Sequence, residues 1–273
     1  MPNWCDFTLT VTGPAEDRRR FNQLFRSHEV SHQWWGISVE MASVRDRWLS
    51  EGLAEFSGLW YMQNRLGNMD KYLGFLREYR GNILAARGHL GAMSTGYRTG
   101  TGQFPRYDTY GIYQRGAWTM HMLRVLLLQM STMNEDRFTG AMREFYTTYR
   151  GRYASTDDLR RVMEKYAGAD LGWFFSQWVD GTEVPTYTWA WRAEPGEGGQ
   201  VAAHLRVRQT NVPADFQMWV PVMVALKDGR ALKTRIHVVG PVTDVSLPVP
   251  GEIKEVRFNE FEGVLAEVKT EGW

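Results

Sequence analysis

The sequence predicts an α+β chain of more than one domain, mostly helical at first and closing in an antiparallel β-sandwich. Three observations carry this. The 273 residues are 43% hydrophobic and include 12 Trp, 13 Phe and 12 Tyr, enough to bury one large core or two modest ones. Up to about residue 181 apolar residues recur at helical spacing, and after Pro185 they alternate with polar ones. The expected division is an atypical N-terminal segment over 1–27, a helical unit over 28–181 and a β-sandwich over 182–273.

In chain order, "MPNWCDFTLTVTG" lacks a basic region followed by an apolar core and does not read as a signal peptide, so the chain as written reads as cytoplasmic. Its alternating "DFTLTVT" can supply one edge strand. Next, Phe21, Leu24, Phe25, His28, His32 and Trp35 recur every three or four residues and predict one helix through the stretch "LFRSHEVSHQWWG". "DRWLSEGLAEF" predicts a second helix packing through Trp48, Leu49, Leu53 and Phe56. Glycines 88, 91, 96, 100, 102 and 111 forbid a long regular element in the segment they punctuate, and loops of that length are often functional. "WTMHMLRVLLLQM" is a buried helix, because its longest apolar run is far short of the roughly 20 residues of a membrane span. In "STDDLRRVMEKYAG", Ser155 or Thr156 can cap, Leu159, Val162, Met163 and Tyr166 form the stripe, and Gly168 stops the helix. Val220, Val222, Val224 and Leu226 share one strand face, Asp228-Gly229 signals a hairpin, and "RALKTRIHVVG" is the return strand.

Charge and cysteine usage narrow the chemistry. Net charge is +1 with mixed signs and no Lys/Arg block beside aromatics, which argues against a nucleic-acid partner. The single cysteine, Cys5, excludes a disulfide framework and a thiolate zinc cluster, so a metal site here needs His and carboxylate ligands.

Those ligands are available. His28 and His32 lie one turn apart on the inward stripe and can reach one metal ion, while Glu29 is offset around the helix, where its carboxylate can touch a metal-activated water without ligating the ion. Glu51 follows His32 after eighteen residues, and two such helices in antiparallel contact close a His, His, Glu triad around zinc with the fourth position left for water.

"HEVSHQWWG", "WLSEGLAEF" and "YQRGAWTMHMLR", in that order and spacing, resemble the zinc aminopeptidases of the aminopeptidase N and leukotriene hydrolase kind, gluzincins with a thermolysin-like catalytic domain. The later "DLGWFFSQWVDGTEVPTYTW" and "VRFNEFEGVLAEVKTEGW" look like the end of that domain and its following β-sandwich. The resemblance covers about residues 28 to 270 and implies a zinc-dependent metallopeptidase acting on peptides. It implies one Zn²⁺ per chain held by His28, His32 and Glu51, with Glu29 as general base and Tyr113 as hydrogen-bond donor to the oxyanion. The family's large β-domain and its G-x-M-E-N strand, which anchors the substrate's amino group, have no counterpart in the sequence, and the first 25 or so residues read as unrelated to the family. This leads us to expect a fusion or truncation with poor discrimination between free and blocked amino termini, which leaves exopeptidase against endopeptidase action open. The rival readings are a zinc-binding remnant with little turnover and a non-catalytic scaffold. Tyr110 competes with Tyr113, and for Asp46 and Glu55 capping or a solvated helix face competes with bracing the histidines. His121 is expected to pack, and His89, His204 and His237 fall outside any motif.

Overall fold

Helices begin and end where local chemistry dictates. In the computed structural model, which describes residues 26–99, 108–195 and 201–273, helix α1 covers 26–31. It gives way to a turn in which Gln33 N and Trp34 N bond back three residues, to Val30 O and Ser31 O. The sequence pattern carries this helix through Trp35, but it ends sooner: Gly36 takes φ +99°, and the chain turns into strand β1 (Val39–Met41). His32 therefore stands in the turn, not in the helix. Phe21, Leu24, Phe25, Cys5 and the stretch "DFTLTVT" lie outside the described residues.

Helix α2 (Trp48–Leu66) buries Trp48, Leu49, Leu53 and Phe56 as their spacing predicts and stops at Gly67 with φ 60°. Helix α3 (Met69–Ala85) starts at once, its N-cap Asn68 accepting from Lys71 N. Short 3₁₀ turns over Met93–Thr99 follow, then a π-helical turn over Thr109–Gln114 that runs into α4 (Arg115–Leu127). All of α4 except Leu126 is buried. Helix α5 (Asp136–Tyr149) leads to strand β2 (Arg152–Ala154), which pairs in parallel with β1. Ser155, not Thr156, caps α6 (Thr156–Ala167): its hydroxyl accepts from Asp158 N while the Asp158 carboxylate accepts from Ser155 N. The short α7 (Gly172–Phe175) widens into a second π turn over Ser176–Asp180.

Two sheets complete the chain. One has the order β7-β4-β3-β9, from β3 (Thr186–Pro195), β4 (Val201–Thr210), β7 (Val242–Val249) and β9 (Glu267–Thr270). The other has the order β6-β5-β8, from β5 (Gln217–Leu226), β6 (Ala231–Val239) and β8 (Ile253–Phe258). Val220, Val222, Val224 and Leu226 are buried on one face of β5, and Gly229 at φ 90° turns the hairpin to β6. The sandwich departs from the expected antiparallel pattern at one edge, where β9 runs parallel to β3. That pairing is possible because β9 comes across from β8 on the other sheet and need not reverse direction beside its neighbour.

Apolar packing runs without a break from helices to sheets. Trp178 meets Phe216 edge to face at 5.6 Å, and the buried Arg115 donates to Gly181 O and Thr182 O at 2.9 and 3.1 Å. His121 packs, as expected: its Nε2 donates to Phe261 O and Glu262 O at 3.0 Å and its Nδ1 accepts from Tyr72 at 2.9 Å. Burial pushes its imidazole down to about 3, so it stays neutral. Among the described residues no helix is long and apolar enough to cross a membrane.

Candidate metal centre

Three close backbone approaches set the geometry. A Cβ on Gly58 would lie 3.1 Å from His28 N, so α1 rests on the backbone of α2. Ser27 and His28 face Gly58, His28 faces Glu55, and both His28 and His32 face Glu51, so α1 climbs as α2 descends. A Cβ on Gly116 would stand 2.7 Å from Gly52 Cα, and one on Gly52 would stand 3.2 Å from Ile112 O. Helix α2 thus touches the π turn and α4 backbone to backbone, which sets Tyr113 opposite Glu51.

The three candidate ligands converge. His32 Nε2 lies 3.1 Å from His28 Nε2 and 3.3 Å from Glu51 Oε2, and His28 Nε2 lies 3.6 Å from that oxygen. Tetrahedral zinc with bonds of about 2.0–2.2 Å spaces its ligand atoms about 3.3–3.5 Å apart, so the triangle has the right size. Its protonation chemistry points the same way. His32 Nδ1 lies 2.9 Å from Trp35 O, which can only accept, so that nitrogen carries the hydrogen and Nε2 presents a lone pair. His28 Nδ1 lies 2.8 Å from Glu55 Oε2 in a close ion-pair contact off the hydrogen-bond direction, which again favours the hydrogen on Nδ1. Two imidazole lone pairs and a carboxylate oxygen then face one another with no hydrogen between them. A cation resolves that repulsion.

Without a cation, protons do the same work. Burial alone would lower the His28 imidazole, but its contacts with Glu51 and Glu55 outweigh that and raise it to about 9. Burial would raise the Glu51 carboxyl, yet hydrogen bonds to His28 and His32 pull it down to about 2.

The cleft around the triangle has a volume of 870 Å³. Glu29 lines it from the exposed side of α1 and stands apart from the triangle of nitrogens and oxygen. Tyr113 also lines it, stacked on the His28 ring at 5.5 Å, with the Arg47 guanidinium 5.9 Å over its own ring and Arg47 paired to Asp108 at 2.6 Å. Burial and the Glu51 charge push the Tyr113 phenol up, so it remains a hydrogen-bond donor at neutral pH. Tyr110 packs against the core and is not part of the cleft wall.

The structure separates Asp46 from Glu55, which sequence reading treats alike. Asp46 accepts from Thr156 N and Oγ1 at 2.7 and 2.9 Å and from Ser43 at 2.7 Å, tying two helix starts together with no contact to the histidines. Glu55 sits against His28 and accepts from the Tyr79 hydroxyl, so it braces that imidazole and does not lie on a solvated face. Glu78 and Tyr79 also line the cleft and carry no motif, as does Gln114, which follows Tyr113 within "YQRGAWTMHMLR" but is given no role there.

Comparison with known proteins places these features in a wider set. Residues 9–178 match the peptidase family M1 domain. The match begins well before residue 28, so the segment read as unrelated to the family shares its pattern from residue 9 onward: the motif reading rests on the few ligand residues, the family match on the whole apolar pattern. Aminopeptidase Q of Acinonyx jubatus is 26% identical over 178 residues, 60% of this chain and 17% of that protein. Aminopeptidase A of Gloydius brevicauda is 25% identical over 192 residues, 66% of this chain and 19% of that protein. This chain thus spans less than a fifth of either relative. A crystal structure of Legionella pneumophila aminopeptidase A in complex with aspartic acid superposes with a TM-score of 0.64 at 14% identity, covering 91% of this chain and 27% of that one.

Proposed function

The chain belongs to peptidase family M1, and on that premise we propose that it is a zinc metallopeptidase, aminopeptidase-like, with one zinc ion per chain. The observation that carries this reading is the triangle of lone pairs from His28, His32 and Glu51 inside a cleft of peptide-sized volume. The relatives it matches, aminopeptidases by name, support the substrate class.

On this reading His28 Nε2, His32 Nε2 and Glu51 Oε2 hold the ion. Zinc bound there would supply Lewis acidity, which acidifies water and polarises a carbonyl at neutral pH. Glu29, beside the triangle and open to the cleft, takes the proton of the attacking water and returns it to the leaving amine. The Tyr113 hydroxyl donates to the oxygen of the attacked carbonyl as charge builds on it. Glu55 and Trp35 O hold the two imidazoles in the tautomer that turns Nε2 inward.

Purified protein is expected to carry one zinc per chain by elemental analysis, and its peptide hydrolysis should vanish with chelator and return with added zinc. Absence of metal after zinc-supplemented expression would refute the proposal. Tyr113→Phe is expected to lower kcat by about 10²–10³ while zinc content and KM stay near wild type, since the hydroxyl acts on the transition state. An equal loss from Tyr110→Phe, with none from Tyr113→Phe, would move the role.

A further inference from the structure

Taking the cleft as a peptide site, which rests on the reading above, we infer that Gln114 binds the substrate's main chain. Its side-chain amide donates to a peptide carbonyl other than the one attacked.

Gln114 is only 8% exposed, yet it lines the cleft directly after Tyr113. Its Oε1 accepts from Asn82 Nδ2 at 3.2 Å, which orients the amide and leaves the Nε2 hydrogens of this cleft-lining residue available as donors. The same cleft wall carries the carboxylates of Glu29, Glu51, Glu55 and Glu78, all acceptors, and among the described residues no Lys or Arg lines it. A pre-oriented neutral N–H in such a wall suits a neutral acceptor. Acidic side chains of a substrate would be repelled by the surrounding carboxylates, whereas a main-chain carbonyl would not. Main-chain recognition also makes the contact independent of the substrate's side chains, and it rewards a substrate that has a second peptide unit.

Gln114→Glu separates a binding role from a structural one. The carboxylate still accepts from Asn82, so the packing bond survives, but the donor is gone. The quantity to measure is kcat/KM for a tripeptide divided by that for the nitroanilide of its first amino acid, which lacks the second carbonyl. In the variant this ratio should fall about tenfold, through KM, because the bond is made equally in ground and transition states. Asn82→Asp, which accepts from Nε2 and turns the amide oxygen to the cleft, should lower the ratio in the same direction. Calorimetric titration of the same tripeptide into Glu29→Gln protein, as purified, with and without Gln114→Glu, should show a matching loss of affinity. An unchanged ratio with unchanged affinity overturns the inference, and so does failure of the Glu29→Gln protein to bind tripeptide at millimolar concentration. Loss of zinc dependence would count against the metallopeptidase reading alone, since the titration decides Gln114 without turnover.

Discussion

Glu29→Gln is expected to keep its zinc and to lose peptide hydrolysis by about 10²–10⁴. The separation follows from where the carboxylate stands. Glu29 shares α1 with His28 but points to the open side of the cleft, and its oxygens do not belong to the cluster that His28, His32 and Glu51 form. Gln has the shape of Glu and no basic oxygen, so it can still order a water but cannot take its proton. Zinc content by elemental analysis, thermal stability and kcat are measured on the same preparation. Equal loss of zinc from this variant and from Glu51→Gln would mean that Glu29 has been given the wrong role.

Glu51→Gln is expected to abolish zinc binding at micromolar metal, and with it all hydrolysis. Glu51 contributes the one anionic oxygen of the triangle, 3.3 and 3.6 Å from the two imidazole nitrogens, and on the proposed reading its charge would hold a dication against two neutral ligands. Substituting an amide removes that charge at a site whose surroundings are largely buried. Zinc should then cease to stabilise the fold: a ligand at a thousand times its Kd contributes about 4 kcal/mol in wild type, visible as a rise in Tm that the variant lacks. Glu55→Gln is the graded control. Of the three residues of the triangle Glu55 meets His28, at the Nδ1 side, so its loss should weaken zinc binding about 10- to 100-fold without eliminating it. If Glu51→Gln retained full zinc, the triangle would not be the metal site.

Much of this molecule was legible in one dimension because its chemistry repeats at helix and strand periods. The i, i+4 spacing of His28 and His32, with Glu51 following on the next predicted helix, picked out the candidate ligands that the fold brings together. The alternation of Val220, Val222, Val224 and Leu226 determined the sheet face. Period could not decide three things. His32 leaves the helix because Gly36 turns the chain, a backbone choice that no side-chain pattern records. Tyr113 was favoured over Tyr110 by resemblance and not by period, and the wider π turn, which breaks the 3.6-residue count, sets Tyr113 in the cleft wall. Asp46 and Glu55 were likewise alike as acidic residues flanking Glu51, until their partners separated them: Asp46 met the start of α6, and Glu55 met His28 and Tyr79. The contacts that hold Tyr113 across from Glu51 and orient Gln114, Gly52 on Gly116 and Asn82 on Gln114, join segments far apart in the chain. Local sequence determines what a helix can present. Only the packing of one backbone on another decides what it is presented to.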